Sequence, residues 1–310
     1  GVCIGAISHA LIQIAAARSV GWRWRPTINL QHPALHKLGS LMLPRAIGLG
    51  GQQLVLVIFT AIASSLAAGS VAIYTFADNI VTVPLAVFAL SFATAVFPTL
   101  ADQFATKNDE GFAAYVIQGV RAILLLTLPS AVGLILLRAQ IFRLILGSGY
   151  FNWDATEAAA ATLGAFALGL VASSLVQLLA RACYARHDTF RPTVISLLSY
   201  VVMVISGLSL SKIYGVAGLA LGFSIGSVLQ VILLGRELWR AVPSLARSTK
   251  LLGEFSLQLI GATVVLALVV QITKIGVVAV GADLSHAWGV LLQTVVSIGL
   301  GTGSFWLVVR

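Results

Sequence analysis

Three polar side chains lie close together inside an apolar stretch of the sequence, and their types suit ligand binding. They are Asp78, Asn79 and Thr82 in YTFADNIVTVP, and in a helix Thr82 shares a face with both of the others. An ionisable group deep in an apolar helix costs a few kcal/mol unless it meets water or a partner. Two interpretations follow: the stripe lines a polar cavity, which we favour, or Asp78 bonds to a neighbouring helix.

Other polar residues earlier in the sequence could belong to the same cavity. Gln52 and Gln53 either add amide groups to it or form hydrogen bonds between helices. Arg45 has two interpretations. Its guanidinium group either reaches water at the membrane edge or supplies a positive charge at the bottom of the cavity. The predicted binding residues are therefore Asp78, Asn79, Thr82, Gln53 and Arg45.

The sequence contains none of the motifs that commonly carry covalent or metal-assisted catalysis. It has no G-x-S-x-G elbow, no phosphate-binding glycine loop and no H-E-x-x-H zinc motif. Asp283 and His286 have no third partner near them in sequence, and Cys183 with His187 would supply only two metal ligands. We therefore predict no enzyme activity, no metal site and no cofactor.

The elements that must position these residues are long apolar segments. Of the 310 residues, 59% are hydrophobic and 9% are charged, against roughly 25% charged in soluble domains. Segments close to the ~20 residues needed to cross a bilayer predict transmembrane helices. The sequence therefore predicts an all-α polytopic membrane protein, a helical bundle with nine spans near residues 2–17, 41–65, 71–97, 112–137, 158–179, 193–210, 216–234, 251–272 and 288–309.

Lysine and arginine are distributed unequally between the two sides of these spans. Alternate loops place fifteen of the nineteen on one side, and the other side holds only Arg138, Arg143, Lys212 and Lys274. The positive-inside rule assigns the fifteen to the cytoplasm. The net charge of +9 therefore indicates topology and contact with anionic membrane lipids, and no nucleic-acid partner is predicted.

A charged turn, ARACYARHDTFRP at residues 180–192, separates two of the spans. We predict that it is structural rather than ligand binding. Asp188 and Thr189 could cap the next helix, and Pro192 could fix where that helix starts. Arg181 and Arg186 would then meet anionic lipid head groups.

Four phrases, in the same order, resemble those of one transporter family. AAGSVAIYTFADNIVTVPLAVFALSFATAVFPTLA resembles its seventh-to-eighth helix region, and LTLPSAVGLILL resembles its ninth helix. GSGYFNWDATEAAAATLGAFALGL and QLLARACYARHDTFRP are similar to two further family signatures. Over about residues 1–241, the chain resembles the MurJ/MviN lipid II flippases, which belong to the multidrug/oligosaccharidyl-lipid/polysaccharide exporter superfamily.

The resemblance implies a domain organisation. Residues 1–20 would be the last helix of a missing first lobe, and residues 21–40 a cytoplasmic linker between two lobes. Residues 41–240 would form the second transport lobe with six helices. Residues 241–310 would form an extra C-terminal helix pair.

The resemblance also implies a function. It is the translocation of lipid II, an undecaprenyl-pyrophosphate-linked peptidoglycan precursor, across the bacterial cytoplasmic (inner) membrane by alternating access. One alternative is a polysaccharide-lipid exporter or a multidrug/cation antiporter of the same superfamily. Another alternative is a membrane scaffold that transports nothing.

Two departures from the family pattern concern the cavity and the coupling ion. Asn79 stands where relatives commonly have an arginine, and Thr82 stands where some have an acid. The positions at which some relatives coordinate sodium align with Phe59 and with the apolar stretch around Val202 and Ser206. The resemblance therefore assigns no coupling ion to this chain.

Overall fold

The structure is a computed structural model, and it describes residues 2–22, 33–146, 153–279 and 287–309. Within these ranges every regular element is a helix, which confirms the predicted all-α class. A π-helical segment, Leu85–Leu90, joins α3 to α4. The α-helices are α1 (Val2–Ser19), α2 (Pro33–Ser64), α3 (Ser70–Pro84), α4 (Ser91–Ala105), α5 (Asp109–Leu146), α6 (Trp153–Ala185), α7 (Phe190–Tyr214), α8 (Val216–Ala241), α9 (Ser244–Ala279) and α10 (Ala287–Val309).

Eight stretches of the described residues are long and apolar enough to cross a membrane. They are Met42–Ser64, Ser70–Ala105, Asp109–Ile145, Thr156–Ala185, Phe190–Tyr214, Val216–Ala241, Leu252–Val277 and Trp288–Val309. These coincide with eight of the nine predicted spans, so the protein is a multi-pass membrane protein. The remaining predicted span, residues 2–17, coincides with α1, a helix of 18 residues outside that set of eight.

The described chain divides into two compact units, Gly1–Ser40 and Leu41–Arg310. The first unit contains α1 and the first turns of α2.

Helix α6 lies at the centre of the second unit and packs against α3, α5 and α8. A chain of aromatic rings joins it to its neighbours: Phe59 on α2 contacts Tyr74 on α3 at 6.1 Å between ring centroids. Tyr74 contacts Phe166 on α6 at 5.3 Å, and Phe166 contacts Phe223 on α8 at 5.5 Å. All three contacts are edge-to-face, the arrangement that the ring quadrupole favours. Four helices are therefore held together by one buried aromatic cluster.

Helices α7 and α8 approach each other through a stripe of glycines on α8. Gly218, Gly222 and Gly226 recur every four residues and therefore share one helix face. A Cβ atom added at Gly222 would lie 2.5 Å from the backbone Cα and N atoms of Gly207 on α7. The absence of side chains thus lets the two backbones come into direct contact, as small residues do in membrane helix pairs.

The predicted third span is one helical rod, Ser70–Ala105, whose geometry changes after Pro84. Proline has no N–H to donate to the carbonyl one turn earlier. The next six residues adopt the wider π geometry, in which hydrogen bonds run between residues five apart. Ser91 follows this pattern, because its backbone N–H donates to the Ala86 carbonyl, which also accepts from the Ser91 Oγ at 3.0 Å. Sequence periodicity alone did not predict this segment.

The turn between α6 and α7 agrees in part with its predicted role. The Asp188 side chain accepts a hydrogen bond from the Arg191 N–H at 3.2 Å, so the predicted Asp188 cap is present. The Thr189 side chain makes no cap hydrogen bond, and Pro192 lies inside the first turn of α7 rather than at its start. The Asp188 carboxylate satisfies an N–H of that first turn in place of Thr189.

Replacing Asp188 with alanine should therefore destabilise the protein without impairing its action. Loss of such a cap costs roughly 0.5–2 kcal/mol of unfolding free energy. Thermal unfolding of the purified protein measures the loss, and Asp102→Ala, at an exposed acid on α4, is the control. We expect transport per folded molecule to be unchanged. An Asp188→Ala protein that folds normally but does not transport would show that the turn is a gate or a substrate contact.

Candidate functional site

The predicted polar stripe lies on one side of α3. Its neighbours Ala77 and Val81 are buried in the aromatic cluster described above, which fixes the rotation of the helix. This rotation leaves Asn79 and Thr82 exposed and Asp78 half-buried. The three predicted residues are thus brought together at the edge of the buried face of α3.

The structure gives no support to Asp78 as a bond between helices. Among the described residues, no hydrogen bond or ion pair joins the Asp78 carboxylate to another helix. Asp78 is eight residues after Ser70, the first residue of α3, which places it about 12 Å along the helix axis. An acid at that depth is costly unless water or a ligand reaches it. The stripe of Asp78, Asn79 and Thr82 is therefore suited to form hydrogen bonds with a polar ligand inside the membrane.

Gln53 lies at a similar depth on the neighbouring helix. Helices α2 and α3 follow each other in the chain and meet at the Phe59–Tyr74 ring contact. Gln53 lies six residues before Phe59, and Ile80 lies six residues after Tyr74. Each is therefore about 9 Å along its own helix axis from the ring contact. Gln53 is exposed, like Asn79 and Thr82.

Arg45 lies in a different place from the other predicted binding residues. It lines a cavity of about 230 Å³ between α2, α6, α7 and α8, which we call the arginine pocket. Neither the α3 stripe nor Gln53 lines this cavity. Its polar lining includes Arg45, Arg181, Gln177, Tyr184, Tyr200 and Gln230.

Sequence reasoning did not place Arg181 in this pocket, because it assigned the residue to lipid head groups. Arg181 and Gln177 are four residues apart and share a face of α6, which was the available local signal. Their partner Arg45 is far away in sequence and was not recognisable as a neighbour. Gln52 also lines this pocket, which separates it from the adjacent Gln53.

The positions that align with a sodium site in some relatives are packed with apolar groups. Phe59 is fully buried, and its ring lies against Gly207 of α7. The Ser206 hydroxyl donates to the Val202 carbonyl at 2.6 Å, within its own helix. In the part of the chain that the structure describes, no three His, Cys, Asp or Glu side chains are grouped to hold a metal.

Comparison with known proteins gives consistent matches. A family model described as "Lipid II flippase MurJ" matches residues 1–297. A probable lipid II flippase MurJ of Rickettsia prowazekii is 35% identical over 197 residues, which cover 63% of this chain and 38% of the relative. Another, from Vibrio cholerae, is 28% identical over 238 residues, which cover 77% of this chain and 45% of the relative.

Solved structures share the fold at low sequence identity. A lipid II flippase MurJ in an inward closed conformation has a TM-score of 0.69 at 20% identity, covering 92% of this chain and 55% of that one. An outward-facing multidrug resistance transporter of the MATE family has a TM-score of 0.60 at 15% identity, covering 87% and 63%.

The chain spans about half the length of the curated relatives it matches. The family model nevertheless covers nearly all of its residues. The four phrases noted in the sequence predicted the same family. The chain therefore belongs to the lipid II flippase MurJ family.

Proposed function

We propose that this protein acts in the translocation of lipid II across the bacterial cytoplasmic membrane. The observation that carries the proposal is the family match over residues 1–297. Residues 41–240 would act as the second transport lobe, residues 1–20 and 21–40 as a helix and linker leading from a first lobe, and residues 241–310 as a C-terminal helix pair. The similarity of fold to a MurJ structure supports this assignment.

The chemistry of the cargo explains why polar residues are needed inside the membrane. The lipid II head group combines sugars, a peptide and a pyrophosphate, and it cannot enter hydrocarbon without hydrogen-bonding partners. Asp78, Asn79, Thr82 and Gln53 would supply such partners within the bilayer while the prenyl tail stays among the lipids. Arg45 lies apart from these residues, in the arginine pocket, and is not assigned to this surface. Alternating exposure of this polar surface to the two sides then moves the head group, with no covalent bond made or broken.

The charge distribution supports the orientation of the protein in the membrane. Fifteen of nineteen basic residues fall on one side of the predicted spans, and that side would face the cytoplasm. Anionic lipids of that leaflet would attract these residues by about 1 kcal/mol per charge near the surface.

Reconstitution into vesicles that contain lipid II in both leaflets tests the proposal. An enzyme that cleaves lipid II is added outside, where it reaches only the outer leaflet. If the protein flips lipid II, cleavage should continue until the inner leaflet is also depleted. Protein-free vesicles provide the baseline. Cleavage that stops at the outer leaflet would contradict the proposal, and uptake of an organic cation by the same vesicles would favour the antiporter alternative.

A further inference from the structure

The arginine pocket holds two positive charges that the described side chains do not neutralise. Arg181 Nη1 donates to the Gln177 carbonyl at 3.2 Å, and the Arg45 guanidinium carbon lies 5.8 Å from the centre of the Tyr184 ring. Both arginines line the same cavity, so their positive charges share one small space. Neither takes part in an ion pair with a described residue. Two adjacent cations without a carboxylate leave a net positive potential in the pocket.

The nearby carboxylates are engaged elsewhere. Glu237 on α8 forms an ion pair with Arg191 at the start of α7, and Asp188 lies 3.8 Å from the same arginine. Among the described residues that line the pocket, none is acidic. Arg191 thus binds both Glu237 and Asp188, and none of the described acids forms an ion pair with Arg45 or Arg181.

The rest of the polar lining is neutral and rich in hydrogen-bond donors. Tyr184 and Tyr200 contribute hydroxyl groups, and Gln177 contributes an amide. The Ser196 hydroxyl accepts from the Gln230 amide at 2.9 Å and donates to the Pro192 carbonyl at 2.8 Å, so it is not one of these donors. The cavity volume of about 230 Å³ far exceeds the ~10–15 Å³ that one water molecule requires.

We propose that the arginine pocket binds a phosphate-type anion, a phosphate or pyrophosphate group held by Arg45 and Arg181 and by the neutral donors around them. The planar guanidinium fork matches the geometry of phosphate oxygens, and such bonds are shorter and stronger than neutral ones. The pocket lies where α6 ends and α7 begins, the end of the lobe that the charge distribution assigns to the cytoplasm. A soluble phosphate compound or the head group of an anionic lipid would both present this chemistry.

This binding site is separate from the α3 stripe, and it does not depend on lipid II translocation. Equilibrium binding can be measured whether or not the protein flips a lipid. A negative result in the flipping assay would not contradict the anion site. A protein that binds no anion would not contradict the proposed lipid II translocation.

Binding of two probes to the full chain in phosphatidylcholine nanodiscs tests the site. In the first arm, inorganic pyrophosphate is titrated by calorimetry. In the second arm, phosphatidylglycerol is added to the nanodiscs, and the number of its molecules retained by the protein is counted by native mass spectrometry. Arg45→Gln and Arg181→Gln should each weaken binding in at least one arm by ~10-fold or more, which corresponds to about 1.4 kcal/mol.

Arg186→Gln is the matched control, because it removes the same charge from the same end of α6. Arg186 lies over the Phe104 ring and does not line the pocket, so this variant should bind like the wild type. Gln177→Glu keeps both arginines and adds a carboxylate beside Arg181, and it should also weaken binding by ~10-fold or more. The Gln177→Glu variant can therefore test the site even if an arginine variant fails to fold.

The two arms distinguish the source of the anion. If the pocket variants lose pyrophosphate binding, the natural ligand is a soluble phosphate compound. If the pocket variants lose lipid retention and the control variant does not, the ligand is a lipid head group. The proposal is overturned if neither probe binds the wild type. It is equally overturned if Arg186→Gln weakens binding as much as the pocket variants do.

Discussion

Gly222→Val should leave little folded protein in the membrane. A Cβ atom at this position would lie 2.5 Å from the backbone of Gly207 and 2.9 Å from the Met203 carbonyl oxygen. Backbone atoms cannot swing aside as a flexible side chain can, so α7 and α8 would have to separate. Overpacking of a core commonly costs 1–3 kcal/mol, and we expect about 3 kcal/mol or more here because the obstruction is backbone.

The same helix provides the control for this prediction. A Cβ atom at Gly235 of α8 would meet nothing within 4 Å, so Gly235→Val should be accepted. Valine also has a slightly better helix propensity than glycine. Yield and size-exclusion profile of the detergent-solubilised proteins measure the difference. A Gly222→Val protein as abundant and monodisperse as Gly235→Val would show that α7 and α8 do not approach so closely.

Asp78→Leu should slow lipid II translocation by about tenfold to hundredfold and at the same time raise the stability of the protein. The half-buried carboxylate has no partner on another described helix, so its removal relieves a cost of a few kcal/mol. Transport should fall because a bond from a charged group to the head group is lost. Such bonds contribute ~1.5–3 kcal/mol, or roughly a tenfold to hundredfold change in rate.

Two further variants separate the causes. Asp78→Asn keeps the shape of the side chain and removes its charge, so an intermediate rate would show that charge contributes. Asp102→Asn removes an exposed acid at the other end of the helical rod and should leave the rate unchanged. Thermal unfolding and the vesicle cleavage assay are measured on the same preparations. A destabilised Asp78→Leu protein would instead identify Asp78 as a contact between helices.

Much of the fold could be predicted from the sequence because membrane helices are specified locally. A run of apolar residues of sufficient length predicts a span, and eight described stretches agree with the predicted ones. The Asp188 cap could also be predicted, because its partner Arg191 is three residues away. The π-helical segment could not, since a proline in an apolar helix allows either a kink or a π turn.

The candidate site was only partly predictable for the same reason. Asp78, Asn79 and Thr82 are neighbours on one helix, so their spacing places them on one face. Whether Arg45 belonged with them depended on how α2 packs against α6 and α7, which no local pattern specifies. The structure associates it with Arg181 instead, a residue 136 positions later in the sequence.

The π-helical segment has a consequence for how length and orientation are related in this helix. From buried Val81 to buried Ala89 is eight residues, whereas two turns of α-helix take about 7.2. The wider turns absorb the excess, so α3 and α4 both direct their small residues inward. Deletion of one residue here would rotate α4 by about 100° relative to α3, unless the π turns changed to α geometry. A deletion of one residue at 85–90 would therefore be accommodated by a change from π to α geometry, and both flanking faces would stay aligned.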